Sequence, residues 1–180
     1  ITYAERFGKE GAFITKATAQ LMRDLGCVQS PMSAYMLNLG LESLHVRMAR
    51  HCENAQAVAE FLAAHPKIAY VNYCGLPGDK YHALAEKYLP NGSCGVVSFG
   101  VKGGRAAAAS FMGHLKVAAI ETHVADARTC CLHPASSTHR QMNDEQLLAA
   151  GVMPDLVRMS CGLEDKQDLI NDIAQALDQI

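Results

Sequence analysis

Between Ser30 and Pro66 the apolar positions recur with the period of an α-helix. Leu41, Leu44, Met48, Cys52, Ala55, Val58, Ala59 and Leu62 draw one apolar stripe, and Arg47, Arg50, Glu53, Asn54 and Gln56 take the opposite side. Ser30 is a good N-cap, Pro31 suits the first helical position, and Pro66 stops the pattern just beyond His65. Unbroken, such a helix would run roughly 50 Å at ~1.5 Å per residue, more than the ~30 Å width of a small domain. It must bend, with Gly40 as the natural place, or run out of one domain towards another. The second arrangement is the one expected here. It makes residues 1–65 the end of a larger domain with its connecting helix, and 66–180 a C-terminal α+β domain.

Beyond Pro66 the periodicity changes. "IAYVNYCG", "CGVVSFGVKGG", "KVAAIETH", "RTCCLHP" and "DLVRMSCGL" read as strands. Between them lie the helical stretches "RAAAASFMGHL" and "NDEQLLAAGV", the latter capped by Asn143 or Asp144, and a short helix within "LPGDKYHALAEKYLPNGS". In the last helix Leu169, Ile170, Ile173, Ala174 and Leu177 form the buried stripe, and Glu164 and Asp165 suit its N-terminal dipole. Short strands interleaved with helices predict a compact α+β domain with a short, mostly antiparallel sheet.

Composition narrows the function classes. With 180 residues, 49% hydrophobic and 19% charged, the chain suits a globular domain, and its net charge of -2 offers no basic field for nucleic acid or an anionic membrane surface. Its apolar runs fall short of the ~20 residues that span a bilayer. Neither a signal segment nor an initiator Met opens the chain, so a fragment or a trimmed product is expected. Seven cysteines, scattered through apolar stretches without a CxxC, fit buried thiols in a reducing, cytoplasmic setting better than a disulfide framework.

Three features could carry chemistry. "HPASSTH", residues 133–139, holds two histidines and three hydroxyls around a proline. As metal ligands they fit poorly: Cys130 and Cys131 point to opposite faces of a strand, and His133 and His139 straddle a turn without a recognised zinc spacing. No Gly-x-Ser-x-Gly elbow surrounds Ser136 or Ser137, which leaves a polar turn as the simplest reading. Arg158 lies in an apolar strand, where burial demands an anionic partner. On its own it predicts a structural ion pair to a core Asp or Glu, with a bound carboxylate held by its fork as the alternative. Lys16 is followed by "ATAQLMRDLG" with no glycine-rich phosphate cradle, and reads as a solvated helix lysine rather than a Schiff base.

Taken in order, "FITKATAQLMRDLGCVQSPMSAYMLNLGLESLHVRMARHCENAQAVAEFL", "VNYCGLPGDKYHALAEKYLPNG", "HPASSTH" and "DLVRMSCGLED" resemble the Cys/Met-metabolism family of pyridoxal-phosphate enzymes. The resemblance covers the end of that family's large domain and its complete C-terminal domain. It implies an α/β, fold-type-I architecture, pyridoxal phosphate as cofactor of the complete enzyme, and a cytoplasmic homotetramer. The branch it points to replaces the acetate of O-acetylhomoserine with sulfide or a thiol in homocysteine and methionine biosynthesis. By the same resemblance Arg158 clamps the substrate α-carboxylate, Thr138 is a hydroxyl near the cofactor, and His123 stands near the substrate carboxylate where this branch often has Asn. His133 and His139 then look structural, and Cys161 replaces a common Val. The Schiff-base lysine and the phosphate-binding residues are expected upstream, so no catalytic, cofactor-binding or metal-binding residue is assigned here. This segment alone is expected to be inactive without its large domain. Cystathionine γ-synthase or methionine γ-lyase activity is the alternative within the family; a stand-alone α+β ligand-binding module is the alternative outside it.

Overall fold

A computed structural model describes residues 2–180. The chain divides into two compact units, one ending at Ser43 and one spanning Leu44–Ile180. The second unit begins with the part of the predicted long helix that follows Ser43. That helix is not continuous from 30 to 64. Ser43 leaves the helical region (φ -102°, ψ 1°) and separates α3 (Pro31–Glu42) from α4 (Leu44–Ala64), so the interruption falls three residues beyond Gly40.

The first unit is helical. Thr2 caps α1 (Tyr3–Lys16) reciprocally with Glu5, and non-helical backbone at Gly8 (φ 73°) divides it. A π-helical stretch over Ala17–Met22 leads into the single turn α2 (Arg23–Leu25), which ends at left-handed Gly26. Ser30 Oγ accepts from Ser33 N at 3.1 Å and caps α3, with Pro31 in its first turn. None of these helices has a buried residue.

In the second unit α4 is followed by β1 (Ile68–Asn72), α5 (His82–Tyr88), β2 (Val96–Val101) and α6 (Gly104–His114). The edge strand β3 (Ala119–Ile120), β4 (Cys130–Leu132), α7 (Asp144–Ala149), β5 (Leu156–Ser160) and α8 (Lys166–Asp178) complete it. The sheet runs β1-β2-β5-β4-β3 and is antiparallel except for the β3–β4 pair. The strand predicted over 116–123 shrinks to two residues because 121–128 leaves the sheet as a loop.

Alternation places Val97, Phe99, Val101, Val157 and Met159 in one core with Val58 and Leu62 of α4, Phe111 of α6, and Leu169 and Ile173 of α8. Phe99 and Phe111 meet edge to face at 5.8 Å. Each fully buried side chain of this size contributes about 1.5–3 kcal/mol. In register on the other face stand Ser98, Arg158 and Leu132. The α4 stripe is only half used: Ala55, Val58, Ala59 and Leu62 are buried, whereas Leu44 is exposed.

Candidate substrate-carboxylate site

Arg158 sits mid-way along the central strand β5, flanked by β2 and β4, and is half-buried. Its Nη2 donates to the backbone carbonyl of Thr122 at 2.8 Å. Among the described residues no carboxylate comes within ion-pair distance of it, so the structural ion pair expected for an arginine in this strand is not formed. A guanidinium carries five N–H donors in a rigid fork, and one carbonyl satisfies a single one of them.

The arginine's partner carbonyl belongs to the loop 121–128, and the loop is tied at both ends. Glu121 N donates to Cys131 O at 3.2 Å, and Leu163 N donates to Ala127 O at 2.8 Å. Midway, Ala125 N donates to Ser160 Oγ at 3.0 Å, with Ala125 in the left-handed region at φ 61°. Within this loop His123 Nδ1 lies 3.0 Å from Glu121 Oε2 and 3.5 Å from Asp126 Oδ2. The backbone N–H of Arg128 holds the Asp126 carboxyl below the usual carboxylate range. Burial, and after it the charge of Glu121, pushes the Cys130 thiol up. Arg158 and His123 are thus brought together through Thr122. An apolar cavity of about 200 Å³ lies under the middle of the loop, lined by His51, Val124, Ala125 and Ser160 among others.

The end of β5 is held from behind by polar groups of α4 that helical periodicity did not single out. Asn54 is fully buried, not on the solvent side with Arg50 and Glu53, and its Nδ2 donates to the carbonyls of Gly162 and Glu164, both at 2.9 Å. His51, also buried, reaches the Cys161 carbonyl with Nδ1 at 2.6 Å, which requires the proton on that nitrogen. Thr129 completes the clasp: its N and Oγ1 donate to Glu164 at 2.7 and 2.8 Å, and Oγ1 accepts from Gly162 N at 2.8 Å. Apolar spacing cannot find His51 and Asn54, because their partners are backbone groups about a hundred positions away. The one sequence cue was a histidine and an asparagine three apart beside the stripe.

"HPASSTH" folds as a 3₁₀ turn, Pro134–Ser136, directly after β4. His133 is buried; its Nε2 donates to Pro154 O at 2.9 Å, so in the neutral ring Nδ1 accepts from Ser136 Oγ, also at 2.9 Å. Ser137 Oγ donates to His133 O at 2.6 Å. These groups are consumed by the turn itself. Thr138 is exposed with its hydroxyl 2.9 Å from His139 Nδ1, and among the described residues no hydrogen bond links it to Arg158 or His123.

Of the eight lysines, seven are exposed, Lys16 among them, and half-buried Lys67 gives its ammonium to the carbonyls of Leu177 and Ile180. A Schiff-base lysine requires a desolvated pocket with a phosphate site beside it. The described residues do not fit that requirement.

The family model for Cys/Met metabolism PLP-dependent enzymes matches residues 8–178, and the chain belongs to this pyridoxal-phosphate-dependent family. Among its relatives, the chain is 45% identical to an O-acetyl-L-homoserine sulfhydrylase of Leptospira meyeri, over 94% of this chain and 38% of that protein. It is 42% identical to a homocysteine synthase of Schizosaccharomyces pombe, over 99% of this chain and 41% of that one. A crystal structure of a provisionally assigned O-acetylhomoserine (thiol)-lyase from Campylobacter jejuni, carrying N'-pyridoxyl-lysine-5'-monophosphate, superposes with a TM-score of 0.84 at 37% identity, over 92% of this chain and 39% of that chain. The chain therefore spans about two-fifths of the length of these relatives.

Proposed function

We propose that this chain supplies the substrate-carboxylate-binding region of a pyridoxal-phosphate enzyme that replaces the acetate of O-acetylhomoserine with sulfide or a thiol, in homocysteine and methionine synthesis. The observation that carries this reading is Arg158: a half-buried guanidinium on a central strand, held by one carbonyl and without an acidic partner among the described residues. A planar α-carboxylate is the anion its fork fits with two parallel hydrogen bonds. Held so, an amino-acid substrate has its Cα orientation fixed, which is the geometric condition for selective bond breaking at that carbon. In this reading His123 stands beside the same carboxylate and Thr138 faces the reacting end. The lysine and phosphate site belong to a large domain outside the described residues, and the complete enzyme is a cytoplasmic homo-oligomer.

The test is Arg158→Lys in the complete enzyme. It keeps the charge and loses the bidentate geometry, so kcat/KM for O-acetylhomoserine falls about 30- to 1000-fold, equivalent to roughly 2–4 kcal/mol. Cofactor content and melting temperature stay nearly unchanged. A lowered melting temperature with kcat/KM within a few-fold would return Arg158 to a structural role. Parallel assays of cystathionine formation and methionine cleavage separate the other γ-reactions of the family.

A further inference from the structure

We infer that Glu121, His123 and Cys130 form a binding site for a divalent cation of the zinc class. The site shares His123 with the proposed carboxylate site, but its test reads metal binding alone and not the reaction. One carboxylate oxygen, one imidazole nitrogen and one thiol sulfur lie within 4.8 Å of one another. His123 Nδ1 is 3.0 Å from Glu121 Oε2, and Cys130 Sγ is 3.8 Å from the same oxygen. Around a tetrahedral ion with bonds of about 2.0–2.1 Å to N and O and about 2.3 Å to S, neighbouring donors stand roughly 3.3 Å apart, or roughly 3.5 Å where one is sulfur. The carboxylate oxygen is therefore already placed to within a few tenths of an ångström of two edges of such a tetrahedron. Small side-chain rotations bring in the third edge.

The scaffold supports this geometry. Cys130 is buried on β4, and β3 pairs Ala119 with Cys130 and Ile120 with Cys131. Glu121 follows directly after β3 with its N–H donating to Cys131 O at 3.2 Å, so one donor stands on a strand and a second is tied by its backbone to the same strand. His123 is fixed two residues further on, where Arg158 holds the intervening Thr122 carbonyl. Asp126, with Oδ2 3.5 Å from His123 Nδ1, or a water, is available for the fourth corner.

Charge points the same way. Glu121 and Asp126 together outweigh the single guanidinium of Arg128, which lies 3.5 Å from Glu121 Oε2 and 3.6 Å from Asp126 Oδ1, and leave one net negative charge. Binding a dication and releasing the Cys130 proton to solvent brings the cluster to neutrality. A thiolate with an imidazole selects zinc-class ions over magnesium or calcium, which take oxygen ligands. Residues 130–139 read as a linear segment show no metal site, because the cluster is assembled across the β3–β4 pair and not along one stretch.

The experiment is a titration of the chelator-stripped chain with cobalt(II) as a spectroscopic stand-in, followed by zinc(II) competition. One equivalent binds, with a thiolate-to-cobalt charge-transfer band and the intense visible bands of tetrahedral cobalt, and zinc displaces it. Cys130→Ser abolishes the charge-transfer band, and His123→Asn and Glu121→Gln each weaken binding at least about tenfold. Cys27→Ser, at an exposed cysteine outside the cluster, changes nothing. No saturable one-equivalent binding, or a band surviving Cys130→Ser, overturns the site. Should Cys130→Ser not fold, exposed His123 decides: unchanged affinity in His123→Asn overturns it equally.

Discussion

Ala125 occupies the left-handed region at φ 61° with a Cβ that this conformation disfavours, while its N–H is engaged by Ser160 Oγ. Glycine there relieves the strain and keeps the hydrogen bond, at the cost of a freer unfolded chain. Ala125→Gly is expected to stabilise by about 0.5–1 kcal/mol, read as a higher urea midpoint. The opposite holds at Gly162, where a Cβ would lie 2.5 Å from Ala127 O, Arg128 C and Thr129 N. Backbone cannot yield as a side-chain tip can, so Gly162→Ala costs roughly 2 kcal/mol or more. Burial pushes the Cys161 thiol up to about 12, and Cys131 likewise above its ordinary range. Both remain protonated in the folded state after an unfolded thiol has ionised. Their contribution is therefore complete below about pH 8.5 and is lost as pH rises towards the folded values. Stability should fall over that alkaline window, and Cys161→Val should flatten the fall; an unchanged slope in a pH series of denaturant titrations would refute the assignment.

At the scale of elements, α8 does more than cover the core. Its Asp172, only 5% exposed, accepts from Lys116 N, Val117 N and Ala118 N at 2.8, 2.9 and 3.1 Å, and so fixes the turn that delivers β3. Asp172→Ala leaves these three donors without their acceptor and is expected to cost about 2–4 kcal/mol, with faster hydrogen exchange at residues 116–118. Sequence pattern found α8 through Leu169, Ile173 and Leu177 but passed over Asp172, since a carboxylate beside an apolar stripe looks like its wet border. His51 and Asn54 on α4 were missed for the same reason. What was legible rests on local rules: the Ser30 and Asn143 caps, the alternation that turns Val157 and Met159 inward, and the turn at "HPASSTH". What was not legible depends on distant backbone. The arginine's lack of an ionic partner among the described residues, the shortening of β3 and the grouping of Glu121, His123 and Cys130 all follow from the path of the loop 121–128 beside β5.

For the whole molecule, the apolar residues left uncovered carry information. Met32, Tyr35, Met36, Leu37 and Leu41 of α3 are each more than half exposed, a density of apolar surface that marks interfaces. The 180-residue chain is expected to self-associate as its concentration rises in sedimentation velocity, and Leu37→Asp to weaken that association; a monomer at every concentration would count against an interface there. The position of β5 has a further consequence. Of the described strands it comes last in sequence and stands in the middle in space, between β2 and β4. While a ribosome is still extending the chain towards residue 156, β2 and β4 each present an open hydrogen-bonding edge, and the sheet exists only as two separate pieces. Such edges recruit other chains, and the pairing of β5 with β2 that helps close the gap joins residues as far apart as Ser98 and Arg158. Sheet closure is thus a late, slow step and the period of greatest risk of aggregation. Arg158 arrives with that strand, so a nascent chain acquires this guanidinium and closes its sheet in the same event.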